Sequence, residues 1–249
     1  MDSDKMKNKK VLLIIGGIIV VLLLALGGYF YLNKGKDSSS STTRANIKSQ
    51  ISDIDWASYD SNEITLDGKS VKITEAGTYT LTGEISDGLI EINTDGKVKL
   101  ILNGVTITNS KGPTINVVNA DTVEIETVKG TTNTLTDGSS YTGYDEDVNA
   151  CIFSKDDLIL SGEGTLNVTA NYEDGIVSKD DLKITGGTYI INAKDEAIRG
   201  KDSLEITGGE FTITAKGDAL KSTNDTDTDK GFILISGGTF NIEATNDGI

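Results

Sequence analysis

The chain has 249 residues, a formal charge of −15, no histidine, one proline and one cysteine. So few aromatics beside so much Gly, Thr, Asp and Asn argue against a compact α/β enzyme, and the acidity argues against nucleic acid as a partner, since phosphate contacts need basic surface. A single cysteine, Cys151, rules out an intrachain disulfide and is expected as a small buried hydrophobe.

Residues 1–10 carry Lys5, Lys7, Lys9 and Lys10 and read as a cytoplasmic tail. "VLLIIGGIIVVLLLALGGYFYL" (residues 11–32) runs 22 residues without a charge, long enough to cross a bilayer as a helix. The positive-inside rule places the tail in the cytoplasm and everything after the span outside, giving a single-pass protein of the cell membrane. The alternative is a cleaved signal peptide, with Ala25 and Gly27 as a weak small-x-small site; the apolar stretch outruns a signal core, which favours the retained anchor. No cysteine stands near it for a lipid anchor. Residues 33–50, including "KGKDSSSSTT", form a polar flexible linker.

From residue 51 the pattern changes to period two, the signature of strands. "SVKITEAGTYTLTGEI" and "KVKLILNGVTITNS" alternate well and read as opening, less regular coils, with Trp56 expected to lie buried beneath the first of them. Further on the chain copies itself. "FSKDDLILSGEGTLNVTA", "SKDDLKITGGTY", "GKDSLEITGGEF" and "KGFILISGGTFNIEA" are variants of one unit. Ile152, Ile176, Ile198, Leu220 and Ile249 recur at intervals of 24, 22, 22 and 29 residues, the longest holding the loop insert "STNDTDTD" (residues 222–229). Within a unit, Leu182 and Ile184, then Tyr189, Ile191 and Ala193, alternate with polar residues on either side of a twin-glycine turn. A period in the twenties marks a solenoid. Leucine-rich repeats share that period but need a leucine framework with an Asn or Cys column. Residues 51–249 are therefore predicted to be all-β, a right-handed single-stranded parallel β-helix with coils of about 22 residues. Leu158, Leu182, Leu204 and Ile233 should share one interior column. The chain stops on "TNDGI", a motif that elsewhere opens a coil, so further coils are expected beyond it.

The runs "LILNGVTITNSKGPTINV", "TNTLTDGSSY", "ACIFSKDDLILSGEGTLNV" and "DGIVSKDDLKITGG" resemble, in order, the bacterial carbohydrate-binding domain family of pectate-lyase-like β-helices. That resemblance implies a calcium-binding, non-catalytic module for cellulose or acidic polysaccharide, expected as a monomer.

Stacked coils put equivalent residues in columns. Asp156, Asp180 and Asp202 form one; Asp174, Glu196, Asp218 and Asp247 form another, with Asp195 beside it. Like charges one strand spacing apart repel unless solvated or neutralised, and an oxygen-rich set suits calcium. Asp156, Asp174, Asp180, Asp195, Asp202 and Asp218 are therefore candidate metal ligands; equally, aspartates at turns cap backbone groups. Asp180 shares parity with Leu182 and is expected to lean inward. "DTDTDKGFILI" lacks the twelfth-position glutamate of an EF-hand. Lys155, Lys179, Lys201 and Arg199 either meet sugar carboxylates or offset the acids. Tyr172, with Tyr141 and Tyr144, offers flat faces for sugar rings. A polysaccharide lyase would need a base, and without histidine that base would be Arg199 or a lysine. A surface rod with no small ligand is the third reading.

Overall fold

The computed structural model describes residues 51 and 53–249. The proposed tail, membrane span and linker (1–10, 11–32, 33–50) lie outside them, and no helix among the described residues is long and apolar enough to cross a membrane. After a 3₁₀ turn (Trp56–Ser58) the chain is almost entirely strand.

Strand β1 (Ser61–Asp67) is followed by β2 (Val71–Ile73) and β3 (Gly77–Ile85), then β4 (Ile90–Asn93) and β5 (Lys97–Thr108). From there each coil has three strands: β6 (Ile115–Asn119), β7 (Thr122–Thr127) and β8 (Thr132–Thr136); β9 (Ala150–Ser154), β10 (Asp157–Gly162) and β11 (Thr165–Ala170). Next come β12 (Asp174–Ser178), β13 (Asp181–Ile184) and β14 (Thr188–Ala193); β15 (Ile198–Gly200), β16 (Ser203–Ile206) and β17 (Glu210–Ala215); β18 (Leu220–Ser222), β19 (Phe232–Ile235) and β20 (Thr239–Ala244). Every pairing is parallel and joins a strand to its counterpart in the neighbouring coil. One face is the sheet β2-β4-β6-β9-β12-β15-β18. The other two are the arms of a second sheet, continuous because β5 pairs with β7 through Lys97–Leu102 and with β8 through Thr106–Thr108. At that corner Gly104 takes φ +77°, and buried Asn133 accepts from the N–H groups of Gly104 and Val105 at 2.9 and 3.0 Å.

This all-β parallel stack has the predicted register, with Leu158, Leu182, Leu204 and Ile233 partnered in succession. The recurring anchors Ile152, Ile176, Ile198 and Leu220 form a second ladder. They are a third strand per coil, three to five residues long and mostly buried, so that no alternation shows. The twin glycines divide their work. A Cβ on Gly208 would sit 2.7 Å from the Thr185 carbonyl of the coil beneath, while Gly209 takes φ +111°, a region that L side chains rarely adopt.

The core is one cluster running the length of the stack. Along its axis Tyr189, Phe211 and Phe240 stack with centroids 5.1 and 4.7 Å apart. Cys151 is fully buried, as expected, beside Thr114, and burial pushes its thiol up. Trp56 is not under the first coil. It lies half-buried outside the stack, donating from Nε1 to Glu124 at 2.6 Å. The charged Asp53 and Asp55 flanking it keep that segment in water, so the indole packs sideways against charged neighbours.

Candidate functional site

The outward row of the β9-β12-β15-β18 face reads Phe153, Val177, Arg199, Lys221. Two apolar residues facing outward need cover, and the connection from β8 to β9 supplies it. Val148, Ala150, Phe153 and Val177 form a separate apolar cluster with Tyr141 and Tyr144 against it. Tyr172 stacks on Tyr141 at 4.4 Å and 25°, so the three predicted tyrosines do come together. The loop is pinned by Asp137, which accepts from the Tyr141 hydroxyl at 2.7 Å and from the Asn171 N–H at 2.5 Å. Burial pushes the Asp137 carboxyl up to about 6, against the pull of those hydrogen bonds.

Beyond the tyrosines the row becomes charged. Asp174, fully buried at the start of β12, accepts from Arg199 Nε and Nη2 at 3.1 and 2.5 Å, from Asn149 Nδ2 at 3.0 Å and from the Glu196 N–H at 3.1 Å. Arg199 also reaches Asn149 Oδ1 at 3.1 Å. Carboxylate oxygens of Asp174, Asp195 and Glu196 lie within 4.8 Å of one another. Burial, and then the facing Glu196 carboxyl, push Asp174 above the usual carboxylate range, with Arg199 opposing. Glu196 is held low despite its own desolvation, through Asp174 and Lys221. Of the two facing carboxyls, Asp174 is thus the one disposed to hold a proton and Glu196 the one disposed to be charged. Oxygen-only donors of this kind suit a hard ion such as calcium.

The other aspartates are dispersed. Asp156 Oδ2 accepts from the Ala120 N–H at 2.8 Å. Asp218 pairs with Lys221 at 2.9 Å and caps the Asp247 N–H. Asp180 and Asp202 face each other, but Lys230, carried in by the insert before β19, pairs with Asp202 and lies 3.9 Å from Asp180. Burial and the Asp202 carboxyl push Asp180 up. Asp180 does not lean inward; its side chain is 48% exposed, while its neighbour Asp181 is buried and accepts from Ser203 Oγ at 2.6 Å. The bend at Lys179–Asp180 interrupts the strand, so parity cannot be counted through it. Lys155 pairs with Asp145 and Lys179 with Asp147, both from the loop over the face; Lys201 is exposed.

Asn149, Lys221 and Lys230 were not singled out by sequence reasoning, since none belongs to a repeated acidic or aromatic column. Nor was Asn116, 5% exposed and with its Oδ1 unpartnered, which lines a cleft of about 190 Å³ with Glu91, Tyr144 and Lys155.

A family model described as carbohydrate-binding domain-containing protein matches residues 67–249. The chain belongs to this family. A member from Acetivibrio thermocellus is 46% identical over 191 residues, which are 75% of this chain and 67% of that protein. Among solved structures, the polysaccharide lyase-like protein from C. thermocellum, a gadolinium derivative, aligns with a TM-score of 0.70 and 37% identity over 74% of this chain and 82% of that one. The polysaccharide lyase-like neighbour agrees with an all-β fold in which the paired strands run parallel.

Proposed function

We propose that this carbohydrate-binding domain protein holds acidic or plant-type polysaccharide (polygalacturonate, cellulose) at the outer face of the cell membrane, through calcium at Asp174, Asp195 and Glu196. Residues 11–32 are its membrane span, and the coils wind right-handed, the hand of nearly all parallel crossovers. The observation that carries the site is the carboxylate trio lying against Arg199, on the same face as the stacked Tyr141 and Tyr172. An acidic protein attracts an acidic polymer only through cations or a local basic group; in this reading calcium is the cation and Arg199 the basic group beside it. A sugar carboxylate would complete the coordination of calcium, and Tyr172 would take the flat face of a ring.

The lyase reading has less support. Arg199 is locked by Asp174 and Asn149, and the lysines with displaced values (Lys99, Lys129, Lys221, Lys230) are all pushed up, the wrong direction for a base. Calorimetry with polygalacturonate and with cello-oligosaccharide, each with calcium and with chelator, tests the proposal. Calcium should raise the melting temperature through its differential affinity for the folded state and should bind more tightly as pH rises, because it competes with protonation of Asp174, which burial favours. Glu196→Gln with Asp195→Asn should abolish most of that response. An unchanged response in that variant overturns the assignment of the site, and polysaccharide binding indifferent to chelator overturns the calcium bridge.

A further inference from the structure

On a different face of the stack, Trp56 walls a cleft of about 280 Å³ with Ile159, Glu124, Asp53, Lys183 and Thr185. The outward row beneath reads Lys99, Glu124, Ile159, Lys183, Glu205. Ile159 is the one apolar residue among these five, and it is only 7% exposed. Trp56 lies outside residues 67–249, the part that matches the family model.

The indole is fixed before any ligand arrives. Its Nε1 donates to Glu124 Oε2; Glu124 Oε1 accepts from Ser161 Oγ at 2.7 Å and lies 3.1 Å from Lys99 Nζ. Lys99 also pairs with Glu126 at 2.6 Å and stands 5.8 Å from the Trp56 ring centre. The Asp55 carboxylate accepts from the Ala57 N–H, closing the turn that carries the ring. With its N–H engaged, the indole offers only a face, over an apolar floor and beside hydroxyl, ammonium and carboxylate groups. A flat apolar wall with a few convergent polar groups is the general form of a small-ligand site, and the C–H faces of a pyranose ring with its equatorial hydroxyls match both parts. Lys99 is spent on two glutamates, leaving Lys183 as the cation opposite Asp53 and Glu124, which disfavours a uronate. At about 280 Å³ the space takes one ring of a chain, near the lower limit of ligand pockets, roughly 300 Å³. We propose that the Trp56 cleft is a second carbohydrate subsite, specific for a neutral pyranose, on a face separate from the Arg199 site. The proposal rests on the carbohydrate-binding reading above.

Trp56 is the only tryptophan of the chain, so its emission reports this cleft and no other. Full-length protein titrated with cellohexaose should show a saturable emission change and slower acrylamide quenching, with trigalacturonate giving neither. Trp56→Ala should weaken cellohexaose binding measured by calorimetry about tenfold, with Trp56→Phe between it and the wild type and all three melting alike. Lys183→Met, which leaves the indole in place, should weaken the emission-detected binding. Calorimetric binding of cellohexaose without emission change, or with Trp56→Ala binding as wild type does, overturns the subsite and leaves the Arg199 site standing. An emission response to trigalacturonate instead of cellohexaose overturns the neutral-sugar assignment. Absence of binding to either sugar overturns both this proposal and the reading it rests on.

Discussion

Arg199→Met tests the buried centre of the charged row. The wild-type pair is almost entirely out of water, with the Arg199 side chain 15% exposed and Asp174 0%. Removing the guanidinium takes three hydrogen bonds, two of them to Asp174, and leaves that carboxylate with Asn149 Nδ2 and the Glu196 N–H. Breaking a buried pair from one side costs about 3–5 kcal/mol. Asp174 is already raised by burial and by Glu196, and loss of Arg199 raises it further. A group raised in the folded state contributes stability that is present at low pH and lost as pH rises through its folded value. The deficit of Arg199→Met should therefore be small near pH 5 and reach the full figure by pH 8.5. Adding Asp174→Asn should recover most of it, because the buried charge is then gone. Urea denaturation of the wild type, both single variants and the double variant at the two pH values gives a complete cycle. Equal losses at both pH values, or a double variant losing the sum of the two singles, would show that the pair is not the buried unit described here.

Phe211→Ala should cost about 3–5 kcal/mol in the same denaturation assay, since Phe211 is 2% exposed between Tyr189 and Phe240; Phe211→Leu should cost clearly less, and equal losses would show that cavity size is not the determinant. Asp137, pushed up to about 6 beside Tyr141, Asn171 and Cys151, stabilises most when protonated, so that contribution is complete below pH 4 and is lost as pH rises through 6. Thermal melts across that range should show the wild type losing stability relative to Asp137→Asn, and parallel curves would refute the burial argument.

The ladders of this fold were legible because a stack repeats its environment. Leu158, Leu182, Leu204 and Ile233 occupy equivalent surroundings, so the chain spells them the same way, and the twin glycines carry the same constraint at each coil. The third strand was missed because its members are three to five residues long and nearly all buried, leaving no alternation to read. Of the site, the acids Asp174 and Glu196 were legible as members of one column, but the Asn149 partner of Asp174 and the burial of Asp174 were not. Those depend on a loop that occurs once. Trp56 was misplaced for the same reason: its partner Glu124 is 68 residues away, and nothing periodic links them.

The corners where the coils turn have a further consequence. Both long inserts, the loop that roofs Phe153 and Val177 and the segment that brings Lys230 to Asp202, leave the stack between strands whose neighbours keep their register on either side. The rod tolerates lengthening there because each coil needs only the coil below it as a template. Recognition chemistry can then diverge by exchanging surface loops, while the inherited backbone remains unaltered. A graft of another insert between Thr136 and Ala150 would be a direct route to a binder of different specificity.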